Sequence, residues 1–197
     1  MFPVPRPASP ASRHRGGRRT SAATGGVAVL MAVVTGCGVL PTGANAPTSD
    51  DITVTSPMIR EGETIPERYT CAGAGVSPPL RWSGLPPETE SLAVLVDDTE
   101  ATGGARVYWT VFGLDPENPE LPEGSVPQPA HQAQNSAGDA DYEPPCPEEG
   151  HEDHEYRFTV YALSEDVPLS DGAPLDEALG AIAARTLARG RLIATGG

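Results

Sequence analysis

The chain has no lysine, only three cysteines in 197 residues, and few aromatic side chains, 5% of the total. Without lysine, arginine is the sole strong cation, and 13 arginines stand against 27 acids. Five of them, Arg6, Arg13, Arg15, Arg18 and Arg19, lie in an opening stretch that holds no acid, so eight arginines share the rest of the chain with all 27 carboxylates. So acidic a body excludes nucleic acid and an anionic bilayer surface as direct partners, because both select Lys/Arg patches. The acidity itself reads first as a solubility device. No apolar run approaches the roughly 20 residues that a membrane-spanning helix requires. There is no CxxC spacing, which weighs against a zinc or redox use of cysteine, and no internal repeat.

The opening residues are built differently from the remainder. An arginine-rich segment is followed by a short apolar stretch, Val27 to Val34, the order of an export signal. The stretch ends in Val34-Thr35-Gly36-Cys37, which resembles the lipobox of bacterial lipoproteins. That resemblance implies cleavage before Cys37, a diacylglycerol on its thiol with a further acyl chain such as palmitate, and a lipid-anchored protein on the extracytoplasmic side of the cell membrane. Two or three acyl chains anchor stably where one is marginal. Residues 1–36 are therefore expected to be a lipoprotein signal peptide. Residues 37–49, rich in Pro, Gly, Ala and Thr with nothing to bury, are expected to be a flexible tether. Residues 50–197 are long enough for one folded domain that needs no metal or partner to fold.

Cys71 and Cys146 remain in that domain. In an exported protein an even pair reads first as a disulfide, with a metal or redox pair as the rival.

The apolar pattern is short-period and broken by Pro and Gly every ten or so residues, which predicts a mainly β domain. Ile52 and Val54 alternate ahead of Pro57. Leu92 to Val96 is an uninterrupted apolar run suited to a central strand covered on both faces. Val107 to Leu114 is rich in β-branched and aromatic residues, a second central strand. In Tyr156 to Leu163, the residues Tyr156, Phe158, Val160 and Ala162 share one face. One helix is expected after Pro174, with Leu175, Ala178, Leu179, Ile182 and Leu187 apolar and Gly190 as its stop. Leu192-Ile193 is expected to return as a short final strand. Residues 115–150 are Pro-rich and poor in aliphatics, the composition of a long binding loop. A cis X-Pro bond is expected among Pro144, Pro145 and Pro147.

The chemistry-bearing residues sit at strand ends: Asp97, Asp98 and Glu100 after one central strand, Tyr108 and Trp109 in the next, His154 and Tyr156 entering the third. Five motifs then match, in order, a known family. They are Tyr69-Thr70-Cys71-Ala72-Gly73 with Ser77-Pro78-Pro79-Leu80-Arg81-Trp82; the run from Ser91 ending Val96-Asp97-Asp98-Thr99-Glu100; Tyr108-Trp109-Thr110-Val111; Asn135-Ser136-Ala137-Gly138 with Tyr142 and Pro145-Cys146-Pro147; and His154-Glu155-Tyr156-Arg157-Phe158. Over about residues 52–195 the chain resembles the phosphatidylethanolamine-binding proteins, in bacteria often called Raf-kinase-inhibitor-like proteins.

The resemblance implies an antiparallel β-sandwich with one or two peripheral helices and a pocket at one end. That pocket binds a small anionic or phospholipid head-group-like ligand without catalysis and without a cofactor. Residue by residue it assigns ligand binding to Asp98, Glu100, Tyr108, Pro145, His154 and Tyr156, and it places Cys71 and Cys146 in motifs that flank the pocket. Tyr108 replaces a family histidine, while Thr99 and Thr102 replace prolines. A neutral phenol donates one hydrogen bond but carries no charge near neutral pH. Arg106 is then the candidate to offset the surrounding acids. Two other readings compete. One is an inhibitor that occludes a protein partner through a wall from Pro116 to Pro129. The other is a metal-dependent hydrolase built on His151, His154 and the acids Glu148, Glu149, Glu152, Asp153 and Glu155.

Overall fold

The computed structural model describes residues 49–101, 103–146 and 154–196. The expected signal peptide, Cys37, most of the tether, Thr102, Pro147 and the acidic run 148–153 lie outside the described residues.

The described chain forms two antiparallel sheets. The smaller joins β1 (Thr53–Thr55), β2 (Leu80–Ser83) and β5 (Glu120–Leu121) in the order β1-β2-β5. The larger contains β3 (Ser91–Asp98), β4 (Arg106–Leu114), β6 (His131–Gln132), β7 (Glu155–Leu163) and β8 (Thr186–Thr195), in the order β6-β4-β3-β7-β8. Among the described residues the one α-helix is α1 (Leu175–Arg185), and a 3-10 turn spans Glu67–Tyr69.

β3 is buried at every position, as its unbroken apolar run requires. Its inward residues Leu92, Val94 and Val96 share a core with Val54, Leu80, Trp82 and Leu121 of the smaller sheet and with Phe158 and Val160 of β7. On the other face, Ala93 packs with Phe112, Leu163 and the helix residues Ala178 and Ile182. The larger sheet is thus covered by the smaller sheet on one side and by α1 on the other, a β-sandwich with one peripheral helix. Each fully buried Leu, Val or Phe contributes on the order of 1.5–3 kcal/mol relative to exposure.

The helix ends earlier than its apolar pattern suggests. Asp176 and Glu177 in the first turn and Arg185 in the last complement the helix dipole. At Thr186 the backbone turns extended, with φ −67° and ψ 121°. Leu187 and Gly190 therefore lie in β8, a ten-residue strand rather than a short return. Gly190 is not a helix stop. It pairs with Val160 of β7, and a Cβ there would sit 1.8 Å from the carbonyl oxygen of Ile52. The close passage of the Ile52 backbone is what requires glycine.

The described part of the 115–150 segment, residues 115–146, is tied down more closely than its composition suggests. β5 and β6 add to the two sheets, and Asn135 braces the stretch after β6. The Asn135 side chain accepts from the N–H groups of Ala137 (2.9 Å) and Asp139 (3.1 Å) and donates to the carbonyl of Asp141 (3.1 Å). Among the described residues the cis X-Pro bond is Gln128–Pro129; those before Pro144 and Pro145 are trans.

Candidate functional site

Strand geometry decides which chemistry meets. In β3 successive side chains point to opposite faces, so Asp97 and Asp98 part company. Asp97 pairs in register with Arg157, and Asp98 with Tyr156 of β7 and Arg106 of β4. Between Val96/Asp97 and their β4 partners the register slips, leaving Tyr108 as the extra residue of a β-bulge between Trp109, opposite Val96, and Val107, opposite Asp97. Such bulges re-aim side chains. Here both Tyr108 and Trp109 join the inner core.

Asp98 is fully buried. One carboxylate oxygen accepts the backbone N–H of Glu100 at 2.7 Å, and the other lies 2.5 Å from Nδ1 of His154. An ionised carboxylate only accepts, so Nδ1 carries the proton and the ring is held by its Nδ1 side. His154 stands just ahead of β7, its ring stacked on that of Tyr156 at 6.5 Å between centroids and 12° between planes. Tyr156 in turn meets Tyr108 edge to face at 5.7 Å. Burial pushes the phenols of Tyr108 and Tyr156 above the ordinary tyrosine range, and the negative charge of Asp98 adds to both shifts. They are therefore neutral, potential donors throughout the physiological range.

Arg106 closes this group on the β4 side. Its guanidinium lies 5.6 Å from the Tyr108 ring centroid and is ion-paired with Glu143. Glu143 is itself placed by donating its backbone N–H to the carbonyl of Tyr108 at 2.9 Å. Two residues on, Pro145 is buried, and its carbonyl accepts the N–H of Cys71 at 3.0 Å. The disulfide Cys71–Cys146 fastens the same junction, with a Cα–Cα distance of 5.2 Å.

Asp98, Tyr108, His154 and Tyr156 are thus brought together from three strands, with Pro145 on the adjoining disulfide-tied segment. Glu100 enters through its backbone N–H, while its side chain is exposed. Glu143 was not singled out in the sequence; its position directly after Tyr142 in the Asn135-to-Cys146 motif is the signal that marks it. Trp109 is a core ring, its Nε1 donating to Gln132 at 2.6 Å. Ser136 is structural, since its hydroxyl accepts the N–H of Val107. Among the described residues no cluster of three or more His, Cys, Asp or Glu is arranged to hold a metal ion, and the acidic run proposed for one lies outside them. A concavity of about 500 Å³ lined in part by Ser77, Gln128, Gln132, Asp141, Tyr142 and Asp171 includes neither Asp98 nor His154.

A sandwich of two antiparallel sheets, with a buried carboxylate–imidazole pair and two phenols gathered where three strands of one sheet end, defines a class of small β-sandwich domains. The chain belongs to the phosphatidylethanolamine-binding protein family: residues 55–196 match the family so described. It is 36% identical over 194 residues to the Mycobacterium tuberculosis protein named as lipoprotein LppC, an alignment covering 90% of this chain and 96% of that one. Two solved structures are similar. One is the phosphatidylethanolamine-binding protein homolog CT736 of Chlamydia trachomatis, at 33% identity and TM-score 0.68, covering 76% of this chain and 99% of that one. The other is YbcL of E. coli, at 29% identity and TM-score 0.70, covering 74% and 98%.

Proposed function

We propose that this is an exported, lipid-anchored binding protein that holds a small anionic or phospholipid head-group-like ligand in a pocket formed by Asp98, Tyr108, Pro145, His154 and Tyr156. The observation that carries the reading is the meeting of Asp98 and His154 at 2.5 Å from separate strands. In that pair a buried carboxylate fixes an imidazole on its Nδ1 side and so supports a ring able to carry positive charge. The two neutral phenols beside it supply hydrogen-bond donors and an apolar wall. The role is binding, without turnover.

Anchoring is supported by Cys37 at the end of the apolar stretch and by the relative named as a lipoprotein. Since residues 49–197 make up only about three quarters of the chain, an alignment over 90% of it reaches into the leader. On this reading the protein sits on the extracytoplasmic side of the cell membrane, where an oxidising milieu suits the Cys71–Cys146 bond.

Native mass spectrometry of the protein purified without added lipid tests the ligand: a retained head-group-sized mass is expected, and its disappearance in Asp98→Asn assigns it to this site. An empty wild-type protein that also fails to take up inorganic phosphate or phosphoethanolamine removes the reading. Cys37→Ser is expected to move the protein from the membrane fraction to the soluble one and to abolish labelling by radioactive palmitate.

A further inference from the structure

We infer that Arg106 is the residue that takes the anionic group of the ligand, and that Glu143 competes with the ligand for it. The inference rests on the anion-binding reading above and adds where the positive charge comes from once the family's strand histidine is a tyrosine. All eight arginines of the acidic body are within reach of a carboxylate. Arg106 is the one that pairs in register with Asp98 at the end of β3, and its guanidinium lies over the ring of Tyr108.

Its partnership differs in kind from that of Arg157, the arginine at the same end of β7. Arg157 grips Asp97 with both Nε and Nη2, the two-pronged arrangement that fixes geometry as well as charge. Arg106 gives Glu143 a single hydrogen bond from Nη2, leaving four of the five guanidinium N–H donors available. Its side chain is 40% exposed against 24% for Arg157, so a solute can reach it.

The acceptor side is also incomplete. The second carboxylate oxygen of Glu143 is buried and has no hydrogen-bond partner among the described residues, and a buried acceptor without a donor is costly. The Arg106–Glu143 pair is therefore a poor competitor for the guanidinium. A phosphate or carboxylate group offers two oxygens in the spacing that the fork of Arg106 matches. Glu143, held against β4 by its own backbone N–H, stays in place as the cation turns toward the ligand. The carboxylate then acts as a selectivity device: it repels anions too weak to displace it.

The test is titration of the purified full chain with inorganic phosphate near neutral pH, followed by calorimetry and by phosphorus NMR line width. Wild type is expected to bind saturably, Arg106→Ala to weaken binding about tenfold or more, and Arg106→Lys to recover part of the loss. Glu143→Gln is expected to tighten binding several-fold, because the guanidinium is no longer contested. A purely structural pair does not give opposite signs for its two partners. Binding by Arg106→Ala within twofold of wild type overturns the inference while leaving the anion site standing, and so does Glu143→Gln weakening binding as Arg106→Ala does. Wild-type protein that binds neither phosphate nor phosphoethanolamine removes the anion-binding reading itself, and this inference with it.

Discussion

The two carboxylates that end β3 are neighbours in sequence and opposites in use. Asp97 faces the side of the sheet away from the smaller sheet and is locked to Arg157 by a two-pronged ion pair. That hydrogen bonding raises the Arg157 guanidinium above its ordinary value. Asp98 faces inward, fully buried, and spends its oxygens on the N–H of Glu100 and on the ring of His154. The same residue type in consecutive positions gives an ion-paired strut on one face and the base of a candidate binding site on the other. The difference comes from the two-residue period of a strand, which hands each neighbour a different set of partners.

The largest effect expected concerns the tether that serves the inner side. Removing the disulfide with Cys71→Ser is predicted to destabilise the domain by about 4 kcal/mol on a chain-entropy account of so long a loop, read by urea unfolding. Hydrogen exchange is expected to accelerate at residues 142–146 and to be unchanged at Arg157. Equal acceleration on both faces breaks the contrast.

Next in size, Asp98→Asn strips the buried charge that holds the His154 ring and is predicted to cost about 2–3 kcal/mol together with the retained ligand. Asp97→Asn is predicted to cost a comparable amount of stability, because its side chain is only 9% exposed and the charge of Arg157 is left unpaired, but to leave phosphate affinity within twofold. Matching losses of affinity in the two variants refute the division of labour.

The smallest effect is a pH dependence. Burial raises the phenols of Tyr108 and Tyr156, and Tyr69 is pushed up to about 12. The folded state therefore holds these protons more tightly than the unfolded chain, where tyrosine ionises near 10. Their contribution to stability is complete below about pH 10 and declines as pH rises past it. Thermal denaturation between about pH 9 and pH 12 is expected to show a falling midpoint. Tyr156→Phe, which lacks the ionising group, is expected to show a shallower fall, and identical slopes count against burial as the cause.

Much of the fold was legible because it rests on local pattern. The unbroken Leu92 to Val96 run announces a strand buried on both faces, and the alternation from Tyr156 to Ala162 names the inward face of β7. The helix boundary was not legible. Leu187 continues the helical period, and nothing local shows that Gly190 lies against the Ile52 backbone. The site divides in the same way. Asp98, Tyr108, His154 and Tyr156 stand out by motif, but Glu143 gains meaning only from the bulge at Tyr108 and the cation it meets across 37 residues of chain.

By itself, then, the amino-acid order determined the charge, the strand content, the family and most side chains of the candidate site, since each depends on residue type and on spacings of a few positions. Tertiary structure alone decided that Asp97 takes an arginine while Asp98 takes an imidazole, that Glu100 contributes an amide rather than an acid, and that Arg106 is held by one hydrogen bond. Those outcomes hang on register and on a single-residue bulge. Long-range pairing sets both, and a shift by one residue exchanges every partner.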